Sequence, residues 1–87
     1  MTELHAFVNI FVQASLMDEV IGALSKIGAV EELYEVTGEF DIVTLVSASD
    51  IESFRDIMNN RIMKINGVKS TVSSIVLSTH KGPKCAT

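Results

Sequence analysis

The hydrophobic period of this chain switches between two and roughly 3.6 in a fixed order, and that order constrains the fold more than any single motif does. Residues 4–13 (LHAFVNIFVQ) alternate: Leu4, Ala6, Val8, Ile10 and Val12 fall on one face, His5, Phe7, Asn9, Phe11 and Gln13 on the other. That is a strand pattern. Ser15 then offers a helix N-cap with Asp18 three residues on, and Met17, Val20, Ile21, Leu24 and Ile27 recur at helical spacing until Gly28. The spacing predicts a helix over 16–27. Residues 29–37 form a second strand whose Glu31, Glu32 and Glu35 suit a sheet edge, where charge discourages stray pairing. After a Gly38 turn, Phe40 to Ser47 is apolar on both faces apart from Asp41 and Thr44, the pattern of a strand in mid-sheet. Ser49-x-x-Glu52 opens a second helix with the stripe Ile51, Phe54, Ile57, Met58, Ile62 and Ile65, and Asn66-Gly67 ends it. Residues 68–79 make a fourth strand dense in Ser and Thr.

Order β-α-β-β-α-β in one short chain points to an α+β, ferredoxin-like sandwich with an antiparallel four-stranded sheet. Right-handed crossovers put both helices on one face and give the spatial strand order 4-1-3-2. Residue parity assigns Ala6, Val8, Ile10, Val12, Phe40, Ile42, Val46, Val68, Val72 and Val76 to the helix side. It leaves Phe7, Phe11, Val43, Leu45, Ile75 and Leu77 on the other face, mixed with Asn9, Asp41, Thr71 and Ser73. A patch of that size is rarely left wet, so a second copy is expected to cover it, sheet against sheet.

At 87 residues, 47% hydrophobic and 21% charged, the chain is one folded domain over residues 1–79 with a loose tail over 80–87. A domain this small buries only roughly 60–65% of its unfolded surface, which favours an oligomer. Seven basic residues scattered against eleven acids, net charge −4, make a poor footprint for nucleic acid. No apolar run approaches the roughly 18–20 residues of a membrane span, and the acidic Met1-Thr2-Glu3 start is not that of a signal peptide. A single cysteine, Cys85, makes no internal disulfide and fits a cytoplasmic setting.

Catalytic patterns are missing. His5 and His80 have no cysteine or acid at metal-ligand spacing, there is no CxxC, and neither a phosphate loop nor a G-x-S-x-G elbow occurs. No metal and no cofactor is expected. The run Glu31, Glu32, Glu35 reads as a solvated edge, with a cation site as the sharper alternative. The hydroxyls Ser70, Thr71, Ser73, Ser74, Ser78 and Thr79 reflect strand propensity or line a polar cleft. Asp41 stands apart: a carboxylate in the most apolar strand needs a partner. Backbone N–H groups of the turn would satisfy it, or it takes the ammonium of a bound amino acid while nearby N–H groups and hydroxyls take the carboxylate.

Val36-Thr37-Gly38-Glu39-Phe40-Asp41 resembles the v-[ST]-G-x-[FY]-D signature of the Lrp/AsnC transcription regulators, in their C-terminal amino-acid-sensing (RAM) module. The Ile65-Asn66-Gly67-Val68 helix exit and the Ser/Thr-rich last strand resemble it too, so the likeness spans residues 4–79. The resemblance implies a βαββαβ fold whose sheets pair into a dimeric α+β barrel, homodimers that assemble into octamer-like rings, and an amino-acid effector bound between dimers. Carried onto this chain, it nominates Gly38, Glu39, Asp41, Thr71 and Ser73 as ligand-binding residues. Family members begin with a helix-turn-helix domain. This sequence starts at the first strand, so the resemblance implies a stand-alone, non-enzymatic sensing module acting on transcription through a helix-turn-helix relative. Two alternatives stand beside it. One is a small barrel enzyme, monooxygenase or muconolactone isomerase-like, with His5, Asn9 and Asp41 as its only candidate groups. The other is a ligand-free hetero-oligomerisation domain.

Overall fold

Alternation and helical spacing both resolve into structure in the computed structural model, which describes residues 3–82. Strand β1 covers Leu4–Val12, α1 covers Met17–Ser25 after a short 3-10 turn at Ala14–Leu16, and β2 covers Val30–Glu35. Then come β3 at Ile42–Ala48, α2 at Ile51–Asp56 running on as a π-helix over Ile57–Ile62, and β4 at Val68–Ile75. Every strand pair is antiparallel, and the order across the sheet is β2-β3-β1-β4, the order the crossover rule requires.

The helices cover one face. Ala6, Val8 and Ile10 of β1 and Ile42, Thr44 and Val46 of β3 are all fully buried there, with Val20 and Leu24 of α1 and Phe54, Met58 and Ile62 of the second helix above them. The buried hydroxyl of Thr44 donates to the Val8 carbonyl at 3.3 Å, so it costs the core no unpaired polar group.

Several local expectations are corrected. The sheet is open, with β2 and β4 as its two ends, and is not closed into the expected barrel. Four strands are too few: closure takes about eight, each tilted and staggered against the next. Ser15 does not cap α1, whose N-cap is Leu16 without a side-chain bond. Asp50, not Ser49, caps the second helix, its carboxylate accepting from the Ser53 N–H at 2.8 Å. That bond holds the Asp50 pKa below the ordinary aspartate range. The π-helix shows in the Met63 N–H, which donates five residues back to Met58 at 2.8 Å. Phe54, Met58 and Ile62 lie inside, while Ile51, expected in the stripe, is exposed.

The largest correction concerns β4. Val12 pairs with Val68, but Phe11 pairs with Ser70, so Lys69 is an extra residue on β4. One extra residue exchanges the two faces of everything after it. Thr71, Ser73 and Ile75 therefore stand opposite Ile10, Val8 and Ala6 on the helix side, whereas Val72 stands opposite Asn9 on the open face. The open face accordingly carries Phe7, 44% exposed, and Val72, 48% exposed.

Candidate functional site at the Gly38 turn

The turn between β2 and β3 is tied down by Asp41. Its carbonyl accepts from the Val36 N–H at 3.0 Å, closing the hairpin, and its own N–H donates to the Ile10 carbonyl at 3.1 Å. The β1–β3 ladder ends at the Ile10–Ile42 pair. Beyond that pair the Val12 N–H has no β3 carbonyl to meet, and the Asp41 Oδ2 takes it at 2.8 Å. Asp41 is thus satisfied by a β1 amide and not by the turn's own N–H groups. Oδ1 is left without a protein donor among the described residues.

Gly38 holds φ at +110°, a conformation that side chains disfavour, with nothing within 4 Å of where a Cβ would sit. The turn is therefore open on its glycine side. Glu39 beside it is exposed. Phe40, expected on the helix side, instead lies against Phe11 with ring centroids 4.7 Å apart and planes tilted by 45°, an aromatic wall next to Asp41. On the strand leading into the turn, Tyr34 donates its hydroxyl to Glu32 at 3.0 Å, and that bond pushes the phenol pKa up.

Thr71 and Ser73 lie elsewhere. Paired with Ile10 and Val8, they are separated from β3 by the whole of β1, roughly 10 Å at ordinary strand spacing. Thr71 donates its hydroxyl to the Met63 sulfur at 3.6 Å. One chain therefore gathers Gly38, Glu39 and Asp41 in a single turn and keeps the two hydroxyls on the far side of β1. An open groove between α1 and the π-helix, lined by Glu19, Gly22, Lys26 and Arg61, belongs to the helix layer and not to the turn. Pattern reading missed the Asp41–Val12 bond because it joins residues 29 apart and follows from where the ladder stops.

With this geometry, the chain matches the model of the Lrp/AsnC ligand binding domain over residues 5–84. It belongs to that family. It is a ligand-binding domain of transcription regulators and not an enzyme. The Lrp/AsnC relatives include the HTH-type transcriptional regulator FL11 of Pyrococcus horikoshii, 36% identical over 76 residues, a match covering 87% of this chain and 50% of that protein. The chain spans about half the length of the curated relatives it matches, 53% for the regulator Ptr1 of Methanocaldococcus jannaschii.

Among solved structures, the feast or famine regulatory protein of M. tuberculosis complexed with L-methionine superposes with TM-score 0.79 at 34% identity, over 91% of this chain and 53% of that one. The protein TTHA0845 from Thermus thermophilus superposes with TM-score 0.84 at 28% identity, over 91% of this chain and 99% of that one. A fold of this extent therefore occurs as a whole solved chain. No helix among the described residues is long and apolar enough to cross a membrane.

Proposed function

We propose that this domain binds a free amino acid at the Gly38 turn and so regulates transcription through a relative that carries the DNA-binding domain. Asp41 Oδ1 takes the ligand's ammonium, while Oδ2 stays on the Val12 N–H, which orients the carboxylate without consuming it. The open backbone around Gly38 and Glu39 accommodates the ligand's carboxylate, and the Phe40–Phe11 pair walls the site. Thr71 and Ser73 join this site from a neighbouring copy, since their own strand lies across β1. The observation that carries the reading is the half-satisfied Asp41 carboxylate beside a bare glycine turn, supported by a 34% identical relative solved with L-methionine.

Association is the second part of the proposal. Phe7 and Val72 expose apolar surface on the sheet face that no element among the described residues covers, and copies of the chain, or a helix-turn-helix relative, pack there into higher oligomers.

A calorimetric screen of the common amino acids tests the first part. Asp41→Asn keeps an oxygen for the Val12 amide but removes the charge. It is expected to fold normally and to bind the best amino acid about 10- to 150-fold more weakly, the range for a hydrogen bond to a charged group. A screen with no binder, or equal binding by the variant, sinks the sensing reading. Co-purification with a helix-turn-helix relative, insensitive to amino acids, would then favour a purely structural role.

A further inference from the structure

His5 is buried yet hydrogen-bonded at neither ring nitrogen. The residue is 5% exposed, Nδ1 has no hydrogen-bond partner, and Nε2 lies 3.8 Å from Glu31 Oε1, beyond hydrogen-bond length. Buried polar side chains are normally satisfied, so an imidazole in this state calls for a partner.

The fold puts two carboxylates beside it. Glu3 stands two residues before His5 and shares its face by strand alternation. Glu31 arrives from the far edge of the sheet through a second bulge: Val30 pairs with Val46 and Glu32 with Leu45, which leaves Glu31 as the extra residue. Ser47, opposite His5 on the intervening strand, is small enough for Glu31 to reach over. Donor atoms of Glu3, His5 and Glu31 all lie within 4.8 Å of one another. Among the described residues, no Lys or Arg forms an ion pair with either glutamate.

We propose that Glu3, His5 and Glu31 form a binding site for a divalent transition ion of the zinc class. The imidazole selects against Ca²⁺ and Mg²⁺, which prefer all-oxygen shells, and favours zinc and its neighbours. The 3.8 Å gap between Nε2 and Oε1 is too long for a hydrogen bond but suits two ligands on one ion: with bonds of about 2.1 Å it corresponds to an angle of about 130°. Both glutamates are exposed and free to close the remaining distance, and water completes the shell. The ion would clasp β1 to the edge strand β2 across β3. The site lies at the opposite end of β1 from the Gly38 turn and stands independently of amino-acid binding.

The test uses the full chain with His80→Ala and Cys85→Ser, so that the other imidazole and the thiol do not compete. Calorimetric titration with ZnCl₂ is expected to show one ion per chain and a raised melting temperature, and CoCl₂ is expected to give visible absorption bands. Glu31→Gln changes an exposed side chain and should leave the circular dichroism spectrum intact while weakening zinc at least about tenfold. Absence of binding at millimolar zinc, or undiminished binding by Glu31→Gln, overturns the proposal.

Discussion

Gly67→Ala should be among the most damaging single-methyl additions this domain can receive. Gly67 sits at φ +105° between the second helix and β4, and a Cβ there would lie 2.8 Å from the Leu16 Cβ and 2.9 Å from the Val20 Cγ2. The first contact is the decisive one, because a Cβ moves only with its backbone. That backbone is held nearby, since the Gln13 N–H donates to the Gly67 carbonyl at 2.8 Å and the Leu16 N–H to the Gln13 carbonyl at 2.9 Å. Two costs add: about 1–2 kcal/mol for a left-handed L-residue and about 1–3 kcal/mol for overpacking. Gly38→Ala is the control. Its φ of +110° matches, but nothing lies within 4 Å, so only the backbone cost applies. Any gain from stiffening the unfolded chain is common to both variants and cancels. Urea unfolding should therefore place Gly67→Ala about 1–3 kcal/mol below Gly38→Ala, with each 1 kcal/mol lowering the melting temperature by roughly 4–8 °C. If Gly67→Ala proves no less stable than Gly38→Ala, the packing argument at the α1–β4 junction is wrong.

Two further predictions concern the second helix and the open face. Asp50→Ala should lower the melting temperature at neutral pH by removing the cap on the Ser53 N–H. Because the native Asp50 pKa lies below its unfolded value, the cap's contribution is complete above the ordinary aspartate range and fades as pH falls through the native pKa. The gap between wild type and variant should therefore shrink below about pH 4, and a gap that persists there would refute the assignment. Phe7→Lys and Val72→Lys change side chains that are 44% and 48% exposed, so they should leave the circular dichroism spectrum of the folded chain unchanged while reducing the oligomer mass in light scattering. Unchanged mass in both variants would remove the open face as the contact surface.

How much of this was legible in the sequence depended on whether a feature was periodic. The β1 alternation, the β3 core and the strand order follow from side-chain periods and crossover handedness, and the structure repeats them. Features made by one residue out of phase were not legible. Parity counted through Lys69 assigned Thr71 and Ser73 to the wrong face, because a bulge leaves no trace in composition. Glu31 looked like one of three solvated edge acids, and only its bulge brings it to His5. Asp41 was recognisable as a residue needing a partner, yet that partner, the Val12 amide, is set by where the β1–β3 ladder stops. The barrel came from family likeness; the open order of the strands corrects it.

The extra residue at Lys69 acts as a phase shifter for the outer edge of the sheet. Upstream, Val68 packs against the core; downstream, a hydroxyl row and an aliphatic residue have traded sides. Were the bulge ironed out so that Lys69 paired with Phe11, Val72 would return to the helix layer opposite Val8 and Thr71 and Ser73 would swing outward, with every side chain in the strand unchanged. What this edge shows to a neighbour is therefore set by the register in which the backbone pairs before it is set by side-chain chemistry.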